Sequence, residues 1–540
     1  MNIFYRLGAL ILVALLSVPS LSSAADRPNI ILIVTDNQSE QLLGAYGNKD
    51  VLTPNIDRLA REGMKFDRFY ATSGVCSPTR ASLMTGLMPS QHGVHNGLPS
   101  VFEIPDWSAV AEFRSLPQTL AEVGYATGLI GKYHLGAPST AQMGFQHWVT
   151  FPTGHTTSFH DVEIIDNGSR YTLKDEHLTD FWSKQAVDYL ARQSAERPFF
   201  LYLAYNGPYN LPPTVNREPR NRHAFYYSEN VPTFPQEPVH PFLRNWAIKE
   251  SSVEDVQREQ QENREWGVDD AESIGAHGAS PEMSYSWQAI DALNNKKAMI
   301  NLASEMTMID DGVGQLLTAL QERGLADNTI VVFTSDQSSA YGQHGLWGNS
   351  SWARPHPVYK EHMQVPLIVR YPGKVRPGTV TERAVSQIDI FPTLLALIGL
   401  NKTIDNSAGR DFTPLLTQES QEWSDKAYFE YITVRAVVDG DWKYVKRLFD
   451  EPSELYHLAQ DPSETVNLIN NPEHQDVMSR LDRELDAFFD MHASSMFDTW
   501  RGGTGKAILM YSNRNERFAD DDPDWREPFI ENLPAFSDRH

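Results

Sequence analysis

The sole cysteine of the chain, Cys76, lies in Cys76-Ser77-Pro78-Thr79-Arg80 and is followed by the compact run Ala81 to Thr85. Alone, it cannot form an internal disulfide. Such a residue is either a small buried hydrophobe or a group with a chemical task. Its neighbours bear on the task. Pro78 suits the first turn of a helix, which Ala81 to Thr85 can continue. A reacting group at Cys76 then sits where backbone N–H groups and the helix dipole attract an anion, and Arg80 can balance charge there. Three further polar runs stand out: Asp36-Asn37, Lys132-Tyr133-His134 and Asp336-Gln337. Lys132 and His134 alternate in what reads as an extended segment, so both can face one side.

Each of these runs follows a stretch with the composition of a buried strand. Strand-like runs occur at 29–36, 126–131, 198–205, 329–336 and 366–370. They are continuously apolar, the pattern of strands covered on both faces. Helical stretches lie between them, at 116–123, 183–192 and, with apolar spacing of about 3.6, at 297–323. The expected fold is an α/β sandwich, a sheet with helices on each side. In open sheets of this kind, sites lie beyond the carboxyl ends of the strands, so separate segments can deliver groups to one crevice. The catalytic unit is expected over 26–375, with an insertion at about 211–286 that is rich in proline and aromatics and then strongly polar. That insertion either decorates the site or is a solvated loop. A smaller α+β unit is expected over 376–499, with a hairpin turning at Gly440, followed by an irregular tail over 500–540. No internal repeat is evident.

Composition bounds the class. With 540 residues, 41% hydrophobic and 11% aromatic, the chain is globular. Residues 1–25 read as a signal peptide: Arg6 precedes an apolar run over 7–18, and Ser22-Ser23-Ala24-Ala25 supplies small residues for cleavage. The run is short for a membrane span, no cysteine follows it, and no stable membrane anchor is expected. A secreted or periplasmic protein follows. The net charge of −24 argues against nucleic acid as a partner. An anionic substrate therefore needs a locally positive site inside a negative shell.

Cys76-Ser77-Pro78-Thr79-Arg80-Ala81-Ser82-Leu83-Met84-Thr85-Gly86 resembles the signature of the formylglycine-dependent sulfatases, in the alkaline phosphatase superfamily. Similar landmarks run from Arg27 to about Leu468. They include Thr53-Pro54-Asn55-Ile56-Asp57, Gly131-Lys132-Tyr133-His134-Leu135-Gly136 and Glu454-Leu455-Tyr456-His457-Leu458. The resemblance implies an alkaline-phosphatase-like fold, a large mixed sheet between helices followed by a smaller four-stranded domain. It implies that a formylglycine-generating or sulfatase-maturating enzyme converts Cys76 to Cα-formylglycine. One hydroxyl of the hydrated aldehyde then attacks sulfur, and the second triggers sulfate release. Arg80 would orient the diol, Lys132 would hold sulfate oxygens, and His134 would bond the diol or assist its deprotonation. One calcium ion is implied, held by Asp36, Asn37, Asp336, Gln337 and the modified Cys76. Amide oxygens are acceptable calcium ligands, although each amide alone also suits a turn.

Two departures from the family pattern concern the leaving group. Where a histidine is usual, the chain reads Asn206-Gly207-Pro208-Tyr209-Asn210. Tyr209 takes the histidine's place as a possible proton donor, or Asn210 only hydrogen-bonds substrate. The family's lysine before the Val-Pro-Leu-Ile block falls on Pro355, leaving Arg354, His356 or Lys360 as substitutes. His344 and His356 are the expected leaving-group acids. His92, His95, His155 and His160, with Trp107, Phe159 and Trp347, are loop residues that together suggest a sulfated carbohydrate substrate. Two rival readings remain: a phosphodiesterase or phosphonate hydrolase of the same superfamily, and a sulfatase-like binding protein that has lost catalysis.

Overall fold

The computed structural model describes residues 27–98, 106–156, 158–194, 196–209, 218–235, 237, 296–352, 355–400, 402–420, 422–448 and 451–506. The signal segment, Asn210, Arg354, most of the 211–286 insertion and the tail beyond 506 lie outside them.

The first strand, β1 (Asn29–Asp36), is buried at every position. Its β-branched residues suit a pleated surface packed on both sides. Ile31 and Ile33 enter one apolar core, and Ile30, Leu32 and Val34 enter the other. Each such side chain contributes about 1.5–3 kcal/mol of burial energy. Nine further strands extend the sheet: β2 (Met64–Phe66), β3 (Ala126–Gly131), β4 (His147–Thr150), β5 (Glu163–Asp166), β6 (Ser169–Thr172), β7 (Phe199–Pro208), β8 (Thr329–Ser335), β9 (Leu367–Arg370) and β10 (Thr379–Thr381). Their order is β10-β2-β9-β8-β1-β7-β3-β4-β5-β6. The central strands β8, β1, β7, β3 and β4 are parallel, while β9, β5 and β6 pair antiparallel with their neighbours. The sheet is mixed, as expected.

Helices cover both faces. On one side lie α1 (Pro54–Glu62), α4 (Leu178–Ala191) and α5 (Lys296–Glu322); on the other lie α2 (Cys76–Thr85), α3 (Leu116–Glu122) and α6 (Ile390–Leu397). Asp310 of α5 accepts from the backbone N–H groups of Asn55 and Ile56 at 3.0 and 2.8 Å. It thus satisfies two of the free donors at the start of α1.

A second sheet of four antiparallel strands comprises β11 (Lys426–Tyr431), β12 (Val434–Asp439), β13 (Trp442–Arg447) and β14 (Glu454–His457). The hairpin between β12 and β13 turns at Gly440, whose φ is +60°. Helix α7 (Gln475–His492) covers one face with Leu481, Leu485 and Phe489. The boundary of this unit falls later than residue 376. β10 joins β2 in the main sheet, and Ile390, Phe391 and Leu394 of α6 pack into the catalytic core. The apolar face of α6 draws that stretch onto the main sheet, and the small sheet begins at Lys426. Beyond residue 501 the described stretch is irregular and docks on the main unit, where Lys506 Nζ donates to the Ala109 carbonyl at 2.8 Å. Among the described residues, no helix is long and apolar enough to cross a membrane.

Candidate active site

Parallel neighbours end together, so β1 and β8 bring Asp36 and Asp336 side by side. The first turn of α2 brings Cys76 to the same place. Asp36, Cys76 and Asp336 each present a ligand atom within 4.8 Å of the others. Lys132, just past β3, places Nζ 2.5 Å from Asp36 Oδ2, with both side chains fully buried. Arg80 lies one turn along α2 from Cys76. Its Nε and Nη2 meet Asp336 Oδ2 at 2.8 and 2.7 Å, and its Nη1 donates to the Lys132 carbonyl at 2.9 Å. Two buried cations thus interlock with two buried carboxylates around the cysteine. The four charges sum to zero, so the floor of the site is locally balanced inside the acidic chain, with Lys132 and Arg80 the cations that can face an anion. Burial, reinforced by Asp36 and Asp336 against Lys132 and Arg80, pushes the Cys76 thiol up to about 12. As a thiol it is protonated and inert at neutral pH.

The two amides complete an oxygen-rich cluster. Asn37 and Gln337 are fully buried. Gln337 Nε2 donates to Asn37 Oδ1 and lies 3.3 Å from Asp36 Oδ1 and 3.4 Å from Cys76 Sγ. Its Oε1 is buried without a hydrogen-bond partner among the described residues. A half-turn of the amide exchanges its nitrogen and oxygen and sets that oxygen beside Asp36 and Cys76. A buried orphan acceptor beside two carboxylates fits a hard cation with oxygen ligands. Asn349 Nδ2, which the sequence did not single out, donates to Asn37 Oδ1 at 3.0 Å and is a further member of this cluster.

His134 reaches the site by a route that alternation does not describe. β3 ends at Gly131, and His134 has φ +53°, a left-handed conformation uncommon for a residue with a side chain. Gly131 is required at the strand end: its φ is +108°, and a Cβ there would meet the Ala204 carbonyl oxygen at 1.9 Å. The turn, and not an extended strand, points Lys132 down to Asp36 and His134 towards the mouth. His134 Nε2 donates to the Leu98 carbonyl at 3.1 Å, and the Leu98 N–H donates to Ser77 Oγ at 2.9 Å. This bond assigns the tautomer and leaves Nδ1 with a lone pair. Burial, then Lys132 and Arg80, hold the imidazole well below its usual range.

Above this floor His155 stacks on His134 with ring centroids 5.1 Å apart, and its other side lies 5.0 Å from Tyr209. Lys132 Nζ lies over the Tyr209 ring at 5.6 Å. Tyr209 therefore lies beside Lys132 and His155.

Residues 28–400 match the sequence model of the sulfatase family, and residues 348–490 match that of the N-sulphoglucosamine sulphohydrolase C-terminal region. The chain belongs to the sulfatase family. It is a sulfuric ester hydrolase. Curated relatives include the N-acetylglucosamine-6-O-sulfatase of Bacteroides thetaiotaomicron, 25% identical over 83% of this chain and 84% of the relative. The human N-acetylgalactosamine-6-sulfatase is 26% identical over 85% of each chain. A solved structure of a protein in complex with its substrate D-glucosamine-2-N,6-O-disulfate matches with a TM-score of 0.68. It shares 23% identity over 86% of this chain and 98% of that one. The phosphonate monoester hydrolase of Agrobacterium radiobacter shares the fold at 23% identity and a TM-score of 0.61, over 87% of this chain and 97% of that one. The fold is alkaline-phosphatase-like.

Other candidate groups of this sulfatase have different company. His344, also left-handed at φ +53°, pairs with Glu361 at 3.4 Å and stacks on Tyr359. Burial opposes its charge, but Glu361, Glu464 and Glu237 outweigh it and raise its pKa. His356 Nδ1 meets the Ser350 carbonyl at 2.8 Å, and its ring abuts Tyr431. Lys360 pairs with Glu40 at 3.1 Å. His92 is spent on Ser82 and the Val94 N–H, and His95 on the Phe497 carbonyl. His160 and His177 line an open cleft of about 360 Å³ beside Arg220 and Asp180. Trp347 packs against Tyr341 in the core. Of the loop histidines, His155 is the one these contacts bring to Lys132 and His134.

Proposed function

We propose that the chain removes sulfate from a 6-O-sulfated amino sugar of glycosaminoglycan type, outside the cytoplasm, using formylglycine made from Cys76 and one calcium ion. The observation that carries this reading is the juxtaposition of Cys76, at a helix start, with Lys132, Arg80 and two carboxylates. The sugar class is supported by the names of relatives that align along most of the chain. Export rests on residues 1–25, and the tail of small residues there is the feature to test.

The chain's own residues divide the work. Lys132 and Arg80 offset the charge of the ester, and the first turn of α2 offers its N–H groups to the anion. Asp36, Asn37, Asp336 and Gln337 would hold the calcium ion, which when bound polarises a sulfate oxygen as a Lewis acid. The hydrated aldehyde would supply two hydroxyl groups, one to attack sulfur and one to drive release. His134, with Nδ1 unprotonated and its ring fixed by Leu98, is built to accept a proton. The inert thiol supports conversion as a requirement, since an unmodified Cys76 is held as a neutral thiol.

The test is sulfate release from a panel of 6-O-sulfated glucosamines and galactosamines, with a phosphonate monoester in parallel. The protein is made with a maturating enzyme, and the Cys76 peptide is weighed. A loss of about 18 Da marks the aldehyde. Activity from a protein that keeps its thiol refutes the mechanism, and turnover of the phosphonate alone refutes the sulfate-ester reading for this site.

A further inference from the structure

We propose that His155 is the acid that protonates the leaving alcohol, an inference that rests on the sulfate-ester reading above. The geometry of the site divides the ester. Its sulfate end belongs with Cys76, Lys132 and Arg80, whereas its sugar end must face solvent. The leaving oxygen lies between them, so its proton donor must stand above the charged floor and below the mouth. Lys132 and Arg80 are fully buried and His134 is 5% exposed. His155 is only half-buried, and it sits on the His134 ring, inclined by 19°. Its Nδ1 has no hydrogen-bond partner among the described residues, so an N–H there is uncommitted.

The two stacked imidazoles are not equivalent. His134 has given its N–H to Leu98 and retains a lone pair, which suits a base. Among the described residues His155 makes no such bond to backbone through its ring, so either nitrogen can carry a proton to substrate. Tyr209 is the competing donor at this level of the site, but a phenol with a pKa of about 10 is poorly matched to neutral pH.

The groups that face His155 are Lys132, His134, Arg80 and Tyr209. Burial, then Lys132, His134 and Arg80, keep its pKa well below the ordinary range before substrate binds. A sulfate ester brings a negative charge against the same lysine and arginine and cancels their opposition. The proton therefore enters with the substrate. In the step itself, the bond from sulfur to the alcohol oxygen breaks and its electron pair stays on that oxygen. The imidazolium proton moves to the same oxygen, the incoming hydroxyl gives its proton to His134 Nδ1 as its oxygen bonds to sulfur, and His155 ends neutral. Solvent returns its proton on the next cycle.

The experiment compares two leaving groups in His155→Gln, His155→Asn and Tyr209→Phe. One substrate is the 6-sulfated N-acetylglucosamine or N-acetylgalactosamine that the parent enzyme hydrolyses faster; the other is 4-nitrophenyl sulfate, whose phenolate departs without a proton. General acid catalysis contributes at least about 100-fold. Both His155 variants should lose that much kcat/KM on the sugar sulfate, lose less than tenfold on the aryl sulfate, and lose the alkaline limb of the sugar pH profile. Equal losses on both substrates overturn the assignment, whatever their origin. So does a selective loss in Tyr209→Phe with none in the His155 variants. A parent enzyme that hydrolyses neither ester defeats the sulfate-ester reading itself, before the variants are compared.

Discussion

Replacing Arg80 with alanine strips the counter-charge from Asp336. Two guanidinium nitrogens meet the same carboxylate oxygen at 2.8 and 2.7 Å, and both side chains are fully buried. Breaking such a pair from one side leaves a buried charge and costs about 3–5 kcal/mol, where an exposed pair would cost about 1 kcal/mol or less. The loss depends on pH, and its sign follows from the carboxylate. Burial already lifts Asp336 to about 6, with Arg80 opposing and Asp36 adding to the rise. Without Arg80 the rise is larger. A folded pKa above the unfolded value of about 3.9 means that the folded chain holds the proton more tightly. Stability is then fullest below the unfolded value and is lost as pH climbs through the folded one. Arg80→Ala should therefore be more damaging near pH 8 than near pH 5. Adding Asp336→Asn removes the orphan charge, so the double variant should exceed Arg80→Ala in stability by about 1–2 kcal/mol at the higher pH. Urea unfolding followed by tryptophan fluorescence measures this, with a chelator present so that no cation replaces the guanidinium. If the two single losses add, or if the Arg80→Ala loss is the same at both pH values, Asp336 is not the buried charge that Arg80 holds.

Two further outcomes are expected. Asn37→Asp sets a third carboxylate beside Asp36 and Asp336, and should tighten calcium binding at least about tenfold by calorimetry while lowering the stability of the metal-free protein; an unchanged Kd would mean that residue 37 is not a ligand. Ser77→Ala removes the acceptor of the Leu98 N–H at 2.9 Å, so that the carbonyl orienting His134 loosens. With rates normalised to the aldehyde content at Cys76, kcat should fall about tenfold, equivalent to about 1.4 kcal/mol, with little change in KM. A loss confined to KM would count against this positioning path.

The sheet was legible because its central strands are covered on both faces and write themselves as unbroken apolar runs, as 29–36 and 329–336 do. Their polar terminators, Asp36 and Asp336, then met at one end because parallel neighbours finish together. His155 was harder to weigh. It belongs to the irregular segment after β4, and a histidine in a loop carries no periodicity to say where it points. A weak signal did exist in the glycines. A Cβ on Gly154 would meet the Gly136 carbonyl oxygen at 2.4 Å, so the loops holding His134 and His155 press together where side chains are excluded. The left-handed turns at Asn37 and His134 were hidden because neither is glycine, and the surrounding fold imposes them. The boundary expected at residue 376 differs for a tertiary reason: β10 and α6 follow it in the chain but find their partners in the main sheet.

Every residue from Cys76 to Thr85 is buried. No second protein can grip this ten-residue helix in the finished fold, because there is no exposed backbone or side chain along it to hold. Any enzyme that rewrites Cys76 must therefore meet the segment as a loose strand, during synthesis or transit, before β1 and β8 close over it. If Cys76 is converted as proposed, the window for that conversion is set by the speed of folding. A variant that folds faster, or whose α2 forms early, would be better folded and less often converted. Yield of active enzyme and yield of folded protein are separate quantities for this chain.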